Sequence, residues 1–452
     1  MDVSSLQNSK VSVIGAARSG VGASTLLQQH GAKVFVSDKE SESKLTSHIA
    51  QLKAGGIEYE VGTHSNRVYD CTLMVLSPGV PSNAPVVVEA QKRGIKVVSE
   101  LEAASWFCKA PMVAITGSNG KTTTTTLLGR ILDDAKKKHV VAGNIGTAFS
   151  SVVLGLAETD VAVLEVSSFQ LDHCETFRPK IAVILNITPD HMDRYENSME
   201  QYSASKARVF MNQTLDGFLI YDVDDEWTAK TVQRAKSRTI PVSVKKLVME
   251  GAFVEDDHLV TMLGGRRSNL IPTGEIGIRG MHNLYNAMAA AVAAQLLYVP
   301  VPSLQATLRN FKGVEHRLEF VRDVKGVKYY NDSKATNVDS VSVALQAFKE
   351  PVVLLLGGRD KGNDYAKLNE LVKTNVRSII AIGESADKVE AAFSGLKPVT
   401  RATTMMDAVV TAQAVAQTGD VVLLSPACAS FDWFDNYEHR GKVFKELVKG
   451  LQ

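Results

Sequence analysis

Short apolar runs rich in β-branched residues alternate with helix-length stretches of mixed polarity along most of the chain. The runs are VSVIG (11–15), KVFVSD (33–38), LMVLSPG (73–79), MVAITG (112–117), VAVLEV (161–166), IAVILNIT (181–188), VVLLLGG (352–358), SIIAIGE (378–384) and VVLLSPA (421–427). This alternation marks βαβ units, so parallel sheets covered on both faces are expected. The segment 244–265, VKKLVMEGAFVEDDHLVTMLGG, has hairpin character and is expected as an antiparallel insertion. The pattern divides into three α/β blocks, 1–99, 100–313 and 314–452. Many runs end in Gly, Ser, Asp, Asn or Pro. In parallel sheets ligands bind beyond the carboxyl ends of strands, so those ends are where chemistry is sought.

Composition narrows the classes. The 452 residues fit about three domains at roughly 150 residues each. A formal net charge of +1 argues against a nucleic-acid partner. The N-terminal MDVSSLQNSKVSVIG enters a strand-like run directly, so no signal peptide is expected. No apolar run reaches the roughly 18 residues of a membrane helix, and AMAAAVAAQLLY is too short to span. Cys71, Cys108, Cys174 and Cys428 are scattered without a C-x-x-C pair, which fits a cytoplasmic protein better than a disulfide framework or a zinc site.

The stretch ITGSNGKTTTTTLLGRIL (115–132) carries the most chemistry. Gly117-Ser118-Asn119-Gly120-Lys121-Thr122-Thr123 ends like a phosphate-binding loop. The usual G-x-x-x-x-G-K-[ST] spacing would place a glycine at Ile115, so this loop is shortened. MVAIT reads as a buried strand and TTTTLLGRILDDA as a helix, the context a working loop needs. The glycines free backbone N–H groups to face an anion at the helix N-terminus. Lys121 supplies a charge to the β/γ phosphates, and Thr122 a hydroxyl where Mg²⁺ would sit. The alternative is a glycine turn beside a surface lysine.

Other residues stand out less sharply. Glu165 lies in a buried apolar run, where a carboxylate needs a partner or a cation. A local partner at a frayed strand end is the other reading. His191, in ILNITPDHMDRY, follows a strand end, but a lone histidine is more often structural, and Mg²⁺ prefers oxygen. Lys206, in QYSASKARVF, reads as a solvated helix lysine. Asn283 and Asn286 share a helix face and offer amides suited to adenine edges, although Asn near a helix start is also a common cap. In the first block, Gly15-Ala-Ala-Arg-Ser-Gly20 has Ala17 where a dinucleotide fingerprint has its middle glycine, which weakens a dehydrogenase reading.

GSNGKTTT is similar to the G-[ST]-x-G-K-[TS]-T loop of the Mur ligases and folylpolyglutamate synthetases, and the resemblance covers essentially the whole chain in matching order. It implies an α/β fold of three domains: a Rossmann-like N-terminal domain, a central P-loop ATPase-like domain with a parallel sheet, and a Rossmann-like C-terminal domain. It implies an ATP-dependent, Mg²⁺-requiring ligase in which the shortened loop is the normal form. By resemblance, Glu165 is a Mg²⁺ ligand beside Thr122. His191, in the T-x-D-H-x-D motif, helps hold a second metal, and Lys206 reacts with CO₂ to give a metal-binding carbamate. Asn283, Asn286, Arg317 and Asp332 reach ATP. Arg18, Ser19, Asp38, Ser77 and Asn144 line the site of the uridine-diphosphate sugar.

NDSKATN (331–337) and LSPACASFDWFDNYEHRG (424–441) resemble the D-glutamate-adding branch of the family. The D-N-P-R-type motif of the diaminopimelate-adding branch is absent. Lys334 and Lys361 would offer cations to glutamate carboxylates, with Thr336, Ser430 and Phe431 completing the pocket, although each lysine alone reads as a surface residue. The implied substrates are ATP, D-glutamate and UDP-N-acetylmuramoyl-L-alanine, with no nucleic acid or membrane partner and a monomeric enzyme. Two rivals are a folylpolyglutamate synthetase, disfavoured by NDSKATN and SPACASFD, and a non-catalytic nucleotide-binding regulator, in which Glu165, His191 and Lys206 would have no joint purpose.

Overall fold

The computed structural model describes residues 3–360 and 362–452, and these form three sheets. The first contains β1 (Lys10–Ile14), β2 (Lys33–Asp38), β3 (Glu58–Val61), β4 (Leu73–Leu76) and β5 (Lys96–Ser99) in the order β3-β2-β1-β4-β5. All its pairings are parallel. Its strand order reverses between β1 and β4, and the Gly15–Gly20 turn follows β1 there.

The second sheet contains β6 (Met112–Thr116), β7 (His139–Gly143), β8 (Val161–Glu165), β9 (Ile181–Ile184), β10 (Phe218–Asp222), β11 (Arg238–Ser243), β12 (Gly251–Glu255), β13 (His258–Leu263) and β14 (Arg266–Pro272). Its order is β14-β13-β12-β11-β10-β9-β6-β8-β7. Strand β6 lies between β8 and β9, so the chain switches direction across the sheet at the strand that feeds the glycine turn. β6, β8 and β9 are buried at every position, as expected where helices cover both faces. The antiparallel insertion has three strands rather than the hairpin the sequence suggested. β14 begins with the exposed Arg266 and Arg267, which hide its strand character from an apolar pattern.

The third sheet contains β15 (Glu319–Val324), β16 (Val327–Asn331), β17 (Val352–Gly357), β18 (Val376–Ile382), β19 (Val399–Arg401) and β20 (Val421–Leu424), ordered β15-β16-β20-β17-β18-β19. Only the β15–β16 pairing is antiparallel among these strands. Alternate residues of β17 enter two separate cores, Leu354 and Leu356 one, Val353 and Leu355 the other, so both faces are covered.

Packing groups the residues up to Ile276 with Tyr285–Asn310 as one unit, and Gly277–Leu284 with Phe311–Gln452 as another. The first two sheets share the former. Leu26 and Leu101, from the helices after β1 and β5, enter the same core as Leu164 and Ile184 of the second sheet. No helix among the described residues is long and apolar enough to cross a membrane.

Candidate active site

β6 ends at Thr116 and the next helix runs Lys121–Asp134, so Gly117–Gly120 is the connecting turn. Gly120 is the helix N-cap at φ +86°, a left-handed conformation that favours glycine. A Cβ there would collide with the side chain of Asn286, which is itself buried, so Asn286 lies against the turn. The Lys121 ammonium folds back onto the carbonyls of Gly117 and Ser118, at 2.8 Å each. Thr122 and Thr123 are buried in the first helical turn.

The turn is templated by the segment after β9. Asn119 N–H donates to Asn186 Oδ1 at 2.8 Å, Ser118 N–H to the Asn186 carbonyl at 2.9 Å, and Ser118 Oγ to the Thr188 carbonyl at 2.8 Å. The sequence reading did not single out Asn186. Its signal was a polar residue inside the apolar run ILNIT.

Glu165 closes β8 and is buried. Its Oε1 accepts from Asn144 Nδ2 at 2.9 Å, whereas Oε2 is buried with no hydrogen-bond partner among the described residues. Both readings of Glu165 therefore have support: a local partner on one oxygen, and an orphaned oxygen on the other that a cation would satisfy. Asn144 also donates its N–H to the Glu165 carbonyl at 2.9 Å, so it braces this glutamate whatever else it touches. The carboxylate of Glu165 and the hydroxyl of Thr122 are the hard oxygen donors that Mg²⁺ takes, so the residues present fit that ion.

The solvated-lysine reading of Lys206 does not hold. The helix Met199–Ala207 turns this side chain inward, leaving it 2% exposed. Its ammonium donates to the Gly117 carbonyl at 2.9 Å and lies 4.5 Å from the centre of the Tyr202 ring. Burial, and then the neighbouring Lys121 charge, hold the amine well below the ordinary lysine range. His191 is exposed, with φ +51° and its ring edge-on to Phe169 at 4.9 Å. Asp190 Oδ2 is 3.7 Å from its Nε2.

In the first sheet, Asp38 Oδ2 accepts from Ala16 N–H at 2.7 Å and Oδ1 from Glu40 N–H at 2.9 Å. Ser77 Oγ donates to the Gly15 carbonyl at 3.2 Å. Gly15 has φ +98°, and a Cβ there would meet Ser77 Cβ and Oγ at 2.8 Å. Asp38 and Ser77 thus brace the turn from which Arg18 and Ser19 open the helix Arg18–Gln29. Arg18 is exposed.

In the second unit, Asp332 follows β16 and is buried. Its Oδ1 accepts from Leu318 N–H at 3.2 Å and its Oδ2 from Ser425 Oγ at 2.8 Å. Burial pushes its carboxyl up to about 7, against the Ser425 hydrogen bond and the charges of Arg317 and Arg440. Arg317 Nε is buried without a hydrogen-bond partner among the described residues. Lys334 N–H donates to the His316 carbonyl at 3.1 Å, and its ammonium lies 5.3 Å from the Tyr437 ring centre. Thr336 is half-buried, Ser430 buried and Phe431 exposed. Lys361 lies outside the described residues. Asn283, in this unit, donates to the Arg279 carbonyl at 2.6 Å.

Sequence reasoning also missed Arg440. It is 1% exposed and ties the loop after β16 to the loop after β20. Its guanidinium donates to the Ser333 hydroxyl at 3.0 Å and to the carbonyls of Ser333 at 2.8 Å and Cys428 at 3.1 Å. Nothing in EHRG separates a buried arginine from a surface one.

Three domain families match the chain in order: the MurD N-terminal domain over residues 10–86, the Mur ligase middle domain over 115–294, and the Mur ligase, glutamate ligase domain over 316–428. The chain is 46% identical over 456 residues to the UDP-N-acetylmuramoylalanine--D-glutamate ligase of Salinibacter ruber, covering 99% of each chain. It is 45% identical to the protein of that name from Koribacter versatilis, over 100% of this chain and 99% of the relative. Among solved structures, the pseudomurein peptide ligase type C of Methanothermus fervidus superposes with a TM-score of 0.61 at 19% identity, covering 98% of this chain and all of that one. The UDP-N-acetylmuramate-alanine ligase of Thermotoga maritima gives 0.60 at 20% identity, covering 98% and 99%. These two carry the fold alone. The ordered domain matches and full-length identity above 40% place the chain in the Mur ligase family.

Proposed function

We propose that this chain is an ATP-dependent ligase that joins D-glutamate to the carboxylate of UDP-N-acetylmuramoyl-L-alanine, a step of peptidoglycan precursor synthesis. The observation that carries the reading is the convergence of two lysines on one glycine turn. Lys121 and Lys206 both donate to the Gly117 carbonyl, at 2.8 and 2.9 Å. The relatives named above support the choice of substrates.

The chemistry follows from what a carboxylate lacks. Its oxygen is a poor leaving group, so amide formation requires activation. The substrate carboxylate attacks the γ-phosphorus of ATP, giving an acyl phosphate and ADP. The D-glutamate amine then adds to the acyl carbon, loses a proton, and expels phosphate. The turn Gly117–Gly120 offers backbone N–H groups at a helix N-terminus to the phosphates. Lys121 leaves its two carbonyl acceptors and offsets charge on the transferring phosphoryl group.

In this reading Thr122, Glu165, His191 and Lys206 as its carbamate hold Mg²⁺, which neutralises triphosphate charge. Asn283, Asn286, Arg317 and Asp332 bind ATP. Arg18, Ser19, Asp38, Ser77 and Asn144 hold the uridine nucleotide. Lys334, Thr336, Lys361, Ser430 and Phe431 receive D-glutamate. The enzyme acts as a cytoplasmic monomer. Phosphate release from ATP that requires both D-glutamate and the uridine precursor tests the proposal. Release driven instead by a folate substrate, or by neither acceptor, would overturn it.

A further inference from the structure

The stretch Asp222-Val-Asp-Asp225, at the carboxyl end of β10, lies outside the residues assigned above to the reaction. Its carboxylates are nevertheless heavily used. Asp225 caps the helix Glu226–Thr231, its Oδ1 accepting from Thr228 N–H at 2.8 Å and Thr228 Oγ1 at 2.6 Å. The same oxygen reaches outside the helix to accept from Ile187 N–H at 3.2 Å. Ile187 lies between Asn186 and Thr188, the two residues on which the glycine turn is templated. Asp224 faces the other way. It accepts from Ser243 Oγ at 2.9 Å, from Val244 N–H at 2.9 Å, and from the Tyr285 hydroxyl at 2.7 Å. Tyr285 is followed by Asn286, whose side chain lies against Gly120.

One acid is enough to cap a helix. A second acid beside it, with Asp222 buried next to both, is an arrangement that like-charge repulsion and desolvation oppose. The contacts outside the helix give the arrangement a purpose. Asp225 fixes the template beneath the turn, and Asp224 fixes the helix that covers it.

We infer that Asp224 and Asp225 are positioning residues for the nucleotide. Asp225 acts through Ile187 and Asn186 on the amides of the phosphate loop, and Asp224 through the Tyr285 hydroxyl on Asn286 at Gly120. The inference rests on the nucleotide reading of that loop and adds to it two acids and a tyrosine that the family resemblance did not supply.

Two mild variants separate positioning from bulk stability. Tyr285→Phe removes only the hydroxyl. Asp225→Ser keeps an N-cap hydroxyl but shortens the side chain, so it cannot bridge to Ile187. Calorimetric titration of the full chain with β,γ-imido-ATP reads affinity without turnover. Each variant is expected to bind roughly tenfold more weakly, the scale of one hydrogen bond to a charged group. The KM for D-glutamate at saturating ATP should stay unchanged. Unaltered analogue affinity in both variants would overturn the inference, as would an equal loss for D-glutamate, which marks general damage. An unaltered enzyme that fails to bind the analogue would instead overturn the nucleotide reading itself, and this inference with it.

Discussion

The ammonium of Lys206 and the carbonyl oxygen of Gly117 are 2.9 Å apart, which ties a lysine from a distant helix to the first residue of the glycine turn. Burial and Lys121 lower its proton affinity, so a neutral amine, the form that adds CO₂, is accessible there. Carbamylation would replace a cation with two oxygens beside the site proposed for Mg²⁺. Lys206→Ala should lose most ligase activity, and Lys206→Arg should not restore it, since guanidinium keeps its charge. A short carboxylate such as acetate should partly rescue the alanine variant. A crystal structure of the active, substrate-bound enzyme with a bare Lys206 amine would defeat the carbamate proposal.

Lys121 separates catalysis from folding. Its side chain contacts the turn through two backbone carbonyls, and the helix behind it is held by Leu127, Leu128, Ile131 and Leu132, all buried. Lys121→Ala should cut phosphate release by at least about a hundredfold, the scale of losing a transition-state donor. Its melting temperature should stay near that of the parent. Near-normal phosphate release by the folded variant would remove the lysine from the reaction.

Glu165 makes a prediction about metal. Its Oε2 is a buried acceptor without a donor, so Glu165→Gln would place an amide where a cation is expected. Thermal stabilisation by Mg²⁺ plus an ATP analogue, measured by calorimetry, should shrink in this variant. Stabilisation by the analogue in EDTA should change little. Equal stabilisation of both proteins by Mg²⁺ would mean that Glu165 is not a ligand.

Asp332 imposes a pH dependence on stability. In the folded chain its carboxyl holds a proton up to about pH 7, whereas an unfolded aspartate releases it near roughly pH 3.9. The folded state therefore binds more protons across that window, and stability falls as pH rises through it. Asp332→Asn cannot titrate, so its melting temperature should fall less steeply between about pH 4 and 7 than that of the parent. Parallel curves for the two proteins would contradict the assignment.

The central loop was legible because its signals are local. MVAIT, two glycines, lysine and an alanine-poor amphipathic helix follow one another within about twenty residues. The burial of Lys206 was not legible. QYSASKAR is polar enough to read as a surface helix, and its inward face is decided by Tyr202 and by a carbonyl far away in sequence. Arg440 was hidden for the same reason: its acceptors are carbonyls of two other loops, and carbonyls carry no sequence signature. Edge strands such as β14 and β15 escaped because exposed positions interrupt their apolar alternation.

Lys334 tests amino-acid choice. The residue is anchored by its N–H on the His316 carbonyl, and its ammonium lies beside the face of Tyr437, with the buried Ser430 on the neighbouring loop after β20. A cation so placed is half-fixed before any ligand arrives, which lowers the entropic cost of holding a carboxylate. Lys334→Met should raise the KM for D-glutamate by roughly ten- to a hundredfold, corresponding to about 1.5–3 kcal/mol for a hydrogen bond to a charged group. The KM for ATP should move far less, because the Gly117–Gly120 turn proposed to hold the phosphates is unaltered in sequence. Lys361→Met, at the cation of GGRDKGND, should behave alike if both lysines hold glutamate carboxylates. Lys334→Arg keeps the charge and still stacks on the ring, so it should recover part of the loss. An unchanged D-glutamate KM in Lys334→Met would place the amino-acid pocket elsewhere. Equal rises for ATP and D-glutamate would mark general damage rather than a lost contact with the substrate.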